Sequence, residues 1–145
     1  MAIARPVTKT IIATQGWGVP ITDEVNRLSG IITPPTAWQN LSIATGFGAL
    51  SGFQVPGVRL NGTVIEFRGC FVTTSSLSAN VEIYLATIPT GFRPSIRVIL
   101  NAAGGAGSAT ALRMDVYATG RVTIWFPTGV TAGFYISIDG LTIAQ

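Results

Sequence analysis

From Trp38 to the C-terminus the chain is a succession of short segments in which apolar and polar residues alternate, separated by turns that contain glycine. Asn61-Gly62 is a strong signal for a two-residue hairpin. Thr119-Gly120 and Asp139-Gly140 divide later segments. Alternation is the pattern of a strand with one buried and one outward face. Several such strands at short intervals predict an all-β fold, an antiparallel β-sandwich of the jelly-roll type.

The N-terminal part of the chain has a different pattern. The segment PITDEVNRLSG predicts a short helix, because Ile21, Val25 and Leu28 fall on one face at helical spacing. The prolines of ITPPT cannot continue that helix and predict a stiff linker. We therefore expect an N-terminal docking arm with a short helix over residues 1–36 and a β-sandwich head domain over residues 37–145.

The chain carries little charge for the surface of a lone domain. Charged residues make up 10% of the chain and the mean hydropathy is +0.50, whereas about 25% of residues are charged in typical soluble domains. No stretch offers the roughly 18 consecutive apolar residues of a membrane span, so we expect subunits to bury apolar surface against one another. Three helices could pack around an axis through Ile21, Val25 and Leu28 to form a homotrimer. Packing of that stripe on its own domain is an equally open alternative.

Few residues offer catalytic or metal-binding chemistry. The sequence has no histidine and a single cysteine, Cys70, which excludes histidine bases and multi-cysteine zinc sites. We interpret Cys70 as a small, buried or half-buried hydrophobic residue. Glu66 and Glu82 could in principle form the carboxylate pair of a glycosidase. Both alternate with apolar residues on predicted strands, and this favours ordinary solvent-facing charges.

Two further patterns argue against nucleotide and nucleic acid binding. The glycines of NAAGGAGSAT lack the ending of a phosphate-binding loop, so we expect a flexible connection between strands. The nine basic residues are scattered along the chain, whereas a nucleic-acid footprint needs a patch or stripe. We predict a protein that is not an enzyme, with no cofactor, no metal site and no nucleic acid partner.

The segment ATIPTGFRPS packs two prolines and a glycine around Phe92 and Arg93. Each proline fixes φ and removes a backbone donor, so the segment is expected to form a rigid corner between two strands. Phe92 can plug the end of the sandwich. Arg93 can donate to backbone carbonyls or to a carboxylate, and we also consider it a candidate ligand-binding residue.

These elements, in this order, resemble the C-terminal head domain of bacteriophage tail-fibre and minor tail proteins. The match runs from AWQNL at Trp38 through NGTVIEFRG, IPTGFRPS and TGRVTI to FYISIDGLTI. The corner of that family usually reads leucine-proline, glycine, aromatic, arginine-proline, and here Ile88 stands in place of the leucine. The resemblance implies a homotrimeric virion protein, often one that binds a host receptor, with a β-sandwich head on a thin N-terminal attachment region.

We therefore predict a virion structural protein on the tail or capsid surface. Its arm would dock to other virion proteins, and its head would bind a glycan or protein of the host surface. A capsid decoration protein or head fibre without a required receptor is the alternative, because it too needs a docking arm and an exposed head. Tail fibres usually have long shafts, and this chain has almost none.

The last two apolar strands suggest where the head could bind. In RVTIWF and FYISID, alternation directs Val122, Ile124 and Phe126 inward and leaves Trp125 and Tyr135 on the outer face. If the two strands formed a hairpin, Trp125 and Tyr135 could be cross-strand neighbours. Two outward aromatic residues indicate either a subunit interface, the more favoured reading, or a stacking platform for a host sugar.

Overall fold

A computed structural model of the protein describes residues 34–107 and 109–145. The predicted N-terminal helix, with Ile21, Val25 and Leu28, lies outside these residues. The described part contains twelve strands: β1 Gln39–Asn40, β2 Ser42–Ile43, β3 Phe47–Ala49, β4 Gly57–Asn61, β5 Val64–Arg68, β6 Cys70–Thr73, β7 Ile83–Thr87, β8 Val98–Gly105, β9 Thr110–Val116, β10 Arg121–Trp125, β11 Tyr135–Ser137 and β12 Thr142–Ala144. Among these residues no helix is long and apolar enough to cross a membrane.

The strands form two antiparallel sheets. One sheet has four strands in the order β1-β4-β5-β12, and the other has eight in the order β2-β7-β10-β9-β8-β11-β6-β3. Buried side chains of both sheets belong to one core, with Val58 and Ile65 from the first and Leu112, Ile124 and Ile136 from the second. The structure thus confirms the predicted all-β antiparallel sandwich.

A two-stranded ribbon passes from one sheet to the other. β5 pairs with β12 in the four-stranded sheet, and β6 pairs with β11 in the eight-stranded sheet. The chain changes sheets at Gly69, whose φ is +95°. Its N–H donates to Oδ1 of Asp139 at 2.6 Å, and its carbonyl accepts from the N–H of Ile138 at 3.0 Å. Ile65 of β5 and Phe71 of β6 therefore enter the core from different sheets.

The glycine-rich segment that begins at Asn101 is mostly strand, so the prediction of a flexible loop was wrong for its first half. Residues 101–105 belong to β8, which pairs with β9 over seven residue pairs. Gly104 shows why this strand contains glycine, because a Cβ there would lie 2.4 Å from Leu112 and 2.7 Å from Phe134. Glycine is used at this position because neighbouring side chains fill the space, and not because the chain turns.

The loop between β7 and β8 crosses the turn that joins β9 to β10, because β10 and β9 lie between those two strands in the sheet. Arg93 lies over Gly120 of that turn, where a Cβ would stand 2.4 Å from its Nε. Nε of Arg93 donates to the carbonyl of Ile88 at 3.2 Å. Phe92 is half-buried and packs against the core. Arg93 thus braces the corner through a backbone carbonyl, while Phe92 covers part of the core without being enclosed by it.

Replacing Gly69 with alanine tests the crossing of the ribbon. A Cβ there would lie 2.5 Å from the carbonyl oxygen of Gln54 and 2.7 Å from the nitrogen of Pro56. We expect Gly69→Ala to lower the free energy of unfolding by about 3 kcal/mol or more, measured by urea denaturation. Gly52→Ala is the matched control, because Gly52 has a φ of +81° and nothing within 4 Å of a Cβ. Equal losses in the two variants would show that backbone strain alone, and not the crossing, is responsible.

Candidate functional site

Trp125 lies on the outer face of the eight-stranded sheet, as alternation predicts. Val122, Ile124 and Phe126 are buried, whereas Trp125 is half-buried. Trp125 stands opposite Arg113 of β9, and the Arg113 guanidinium lies 5.4 Å from the centre of its ring. Both residues line a pocket of about 230 Å³ with Asn80, Ala111, Phe126 and Pro127. Nε1 of Trp125 is buried and finds no hydrogen-bond partner among the described residues.

The carboxylate of Asp115 lies two residues from Arg113 on the same face and is inaccessible to solvent. It accepts two hydrogen bonds of 3.0 Å from Arg113 and one of 2.5 Å from Arg97. Burial alone would raise the pKa of Asp115, but the hydrogen bonds from Arg113 and Arg97 and their positive charges hold it below 3.8. Asp115 therefore fixes both guanidinium groups on the sheet surface.

Tyr117 covers the same face beyond Asp115. Its hydroxyl donates to Oε1 of Glu82 at 2.8 Å, and the Arg97 guanidinium lies 4.5 Å from the centre of its ring. The hydrogen bond lowers the pKa of Glu82 and raises that of Tyr117. β10 lies between β9 and the segment that carries Glu82. The Tyr117 side chain therefore crosses β10 to reach Glu82. We refer to Trp125, Arg113, Asp115, Arg97, Tyr117 and Glu82 together as the aromatic–arginine row.

The two candidate glycosidase carboxylates belong to different sheets. Glu66 of β5 in the four-stranded sheet accepts from Arg59 at 2.6 Å and from Asn61 at 2.8 Å. These hydrogen bonds lower the pKa of Glu66, first from Asn61 and then from Arg59. Glu82 precedes β7 of the eight-stranded sheet and also has a lowered pKa. A general acid needs a raised pKa and a second carboxylate across the substrate, so the arrangement supports the interpretation of both as surface charges.

Tyr135 does not neighbour Trp125, because their two strands do not form a hairpin. Tyr135 of β11 pairs with Val72 and Gly105, and β9 and β8 separate β11 from β10. Three strand spacings of about 4.8 Å lie between the two strands. The half-buried Tyr135 ring stacks on Phe134. β11 follows β10 in the sequence but does not pair with it, because the β8–β9 hairpin lies between them in the sheet.

Arg93 lies at the other end of β10 from Trp125. It contacts Gly120 next to the first residue of β10, whereas Trp125 is the last. At about 3.3 Å per residue the two ends are roughly 13 Å apart. Cys70 is buried, as expected, with Sγ 3.9 Å from Oδ2 of Asp139. The structure therefore brings none of Trp125, Tyr135 and Arg93 together.

Comparison with solved structures finds two proteins that share this fold. The head domain of the lactococcal phage bIL170, from a study of the receptor-binding domains of lactococcal phages, superposes with a TM-score of 0.58 at 21% identity, over 75% of this chain and 97% of that one. The receptor-binding protein gp15 of Listeria phage PSA superposes with a TM-score of 0.58 at 15% identity, over 97% of this chain and 87% of that one. The chain has the fold of phage receptor-binding head domains. No protein-family model and no curated protein matches the sequence.

The row contains residues that sequence reasoning did not select. Arg113, Asp115 and Tyr117 recur at every second position of ALRMDVYA, so alternation already places them on one face of a strand. Alternation does not predict the contact of Arg97, because Arg97 reaches Asp115 from the end of the corner loop before β8. That contact depends on the loop crossing two strands.

Replacing Asp115 with asparagine tests its role in the row. At neutral pH we expect Asp115→Asn to lower the free energy of unfolding by about 1–3 kcal/mol, because both arginines lose a buried anionic partner. Since the folded pKa is lowered, the stabilisation is present above the unfolded pKa near 3.8 and is lost as pH falls through the lower folded value. Urea denaturation at a series of pH values should show the two proteins converging below that pH.

Glu66→Gln is the control for Asp115→Asn, because it removes a carboxylate whose side chain is 22% exposed, whereas that of Asp115 is 0% exposed. We expect it to cost less at neutral pH. A loss as large as that of Asp115→Asn would contradict a special role for the buried carboxylate.

Proposed function

We propose that the protein is a bacteriophage virion protein whose β-sandwich head binds the surface of the host cell. The fold shared with the bIL170 head domain and with gp15 of phage PSA is the observation that carries the proposal. The aromatic–arginine row, in which exposed arginines lie beside half-buried aromatic side chains, supports a binding role, because these residue types are enriched at recognition surfaces. The low pKa of each carboxylate in the row favours binding over acid catalysis.

The pocket at Trp125 is the proposed contact for a neutral part of a host sugar. A half-buried indole offers an apolar face for a sugar ring, and the Arg113 guanidinium beside it offers donors to hydroxyl groups. Subunit contact at the same residue is the competing proposal, because large aromatic residues with a polar tip also suit interfaces.

The location of the protein on the particle can be tested directly. We expect gold-labelled antibodies against the chain to decorate the tail tip of phage particles made by the strain that carries the gene. The same antibodies should block adsorption of the particles to host cells. Label over the capsid, with adsorption unchanged, would overturn the attachment role and favour a decoration protein or head fibre.

Replacing Trp125 with alanine separates the two proposals for its pocket. We expect the variant to keep the subunit number of the parent chain, measured by light scattering, and to lose adsorption to host cells. Trp38→Ala, on the other sheet, is the control for loss of a surface tryptophan. Loss of both assembly and adsorption would favour the interface, and normal behaviour in both measurements would exclude either role.

The proposed assembly is a homotrimer formed through the N-terminal stripe. For a chain of 15.2 kDa a trimer has a mass of 3 × 15.2, or 45.6 kDa. We expect light scattering of the purified full chain to give that mass, and Val25→Asp to reduce it, because a buried unpaired charge opposes association. A monomer at micromolar concentration would contradict assembly in the absence of the virion.

A further inference from the structure

A β-bulge in β7 builds a second surface feature on the same sheet. β7 and β10 pair as Ala86 with Val122 and Tyr84 with Thr123, so Leu85 is an extra residue without a partner in β10. Leu85 and Ala86 are both fully buried although they are adjacent. Residues three apart on a regular strand point to opposite faces. The extra residue brings Tyr84 and Thr87 to the same outer face, where their hydroxyl groups form a short hydrogen bond.

Tyr84 and Thr87 form one side of a groove on the outer face. Thr119 from the β9–β10 turn and Arg121 at the start of β10 complete its described lining, and its volume is about 370 Å³. Tyr84 is 41% exposed, and the Arg121 guanidinium lies 5.7 Å from the centre of its ring. Bulges often re-aim side chains at functional sites. Here the bulge supplies the aromatic residue and one of the hydroxyl groups.

The charge of Arg121 is the second distinctive property of the groove. Among the described residues the salt bridges involve Arg59, Arg97 and Arg113, and Arg121 pairs with no carboxylate. The positive charge of Arg121 contributes a little to the lowered pKa of Glu82, whose carboxylate is already bound by Tyr117. The groove therefore presents a guanidinium, an aromatic ring and threonine hydroxyls to solvent.

We propose that this groove binds an acidic sugar, with the sugar ring on Tyr84 and its carboxylate or phosphate on the Arg121 guanidinium. The planar fork of arginine binds oxyanions through paired hydrogen bonds, and the hydroxyl groups of Thr87 and Thr119 suit those of a sugar. The volume falls in the usual range of small-ligand sites, about 300–1,000 Å³. The proposal rests on the host-binding role but concerns a site at the other end of β10 from Trp125.

The groove is poorly suited to a peptide. No aliphatic side chain lines it among the described residues, whereas peptides usually bind through apolar anchors or by adding a strand to a sheet edge. Strand addition beside the groove is blocked, because β7 pairs with β10 on one side and with β2 on the other. The backbone N–H of Ala44 also donates to the carbonyl of Leu85 at 3.0 Å.

NMR titration of the full-length, isotope-labelled chain tests the proposal. The probes are methyl glucuronide, α-glucosyl phosphate, neutral methyl glucoside and an acidic tripeptide. We expect at least one acidic sugar to bind about tenfold more tightly than the neutral glucoside, because its hydrogen bonds to arginine are charge-assisted. Binding of both acidic sugars would show that the groove recognises either oxyanion. Binding of one would show whether it prefers a carboxylate or a phosphate. Shifted signals should include those of Tyr84 and Arg121.

Three variants determine whether the groove is responsible. Arg121→Gln should remove the preference for the acidic sugar, and Tyr84→Leu should remove binding of every sugar at this site. Arg59→Gln is the matched control, because it removes one positive charge from the outer face of the other sheet. If Tyr84→Leu fails to fold, Arg121→Gln and Thr87→Val still decide the outcome.

The proposal is overturned if no acidic sugar binds, if the preference survives Arg121→Gln, or if the acidic tripeptide binds as tightly as the sugars. Cell adsorption distinguishes this failure from failure of the host-binding role. Arg121→Gln particles that adsorb normally, from a chain that binds no acidic sugar, would exclude the groove and leave the role intact. If the groove binds acidic sugars but the label lies over the capsid and not at the tail, the host-binding role is excluded and the groove proposal stands.

Discussion

The two-stranded ribbon that changes sheets at Gly69 is the constraint on which the sandwich depends. Both sheets depend on this ribbon, because in the described part of the chain β12 is an edge strand paired with β5, and β11 lies between β8 and β6. The backbone N–H of Gly69 would lose its partner at the bend without the carboxylate of Asp139. A side chain at Gly69 would collide with the Gln54 carbonyl. One glycine and one carboxylate thus allow the same ribbon to carry core residues into both layers.

Although the chain has few charged residues, several of its arginine guanidinium groups lie over aromatic rings on the outer faces of the sheets. On the four-stranded sheet the guanidinium groups of Arg59 and Arg68 lie 4.5 and 4.6 Å from the ring of Trp38. On the eight-stranded sheet Arg97 and Arg113 lie over Tyr117 and Trp125. Such contacts shield the hydrophobic faces of aromatic residues while the charge remains hydrated. The low charged fraction therefore does not leave either outer face uniformly apolar.

Local patterns predicted the strands well and their neighbours less well. Alternation assigned the inward residues of β10, and Asn61-Gly62 indicated the β4–β5 hairpin, in which Gly62 has a φ of +60°. The change of sheet at Gly69 and the separation of β10 from β11 depend on contacts between residues far apart in sequence, which no short window contains. The bulge at Leu85 had the same origin, because the register between β7 and β10 decides which residue is left unpaired. Hence Trp125 could be placed on the outer face from sequence, whereas the groove at Tyr84 could not be found.

The alternation along β9 and β10 has a consequence for how such a protein can evolve. Met114, Val116 and Ile124 fill the core, while Arg113 and Trp125, which alternate with them, lie on the outer face. Substitution at the exposed outward positions changes the outer face of the sheet without changing the volume of the core. Asp115 and Thr123 are exceptions, because both alternate outward but are buried. The exposed outward positions of these strands can therefore vary in sequence while the fold stays constant.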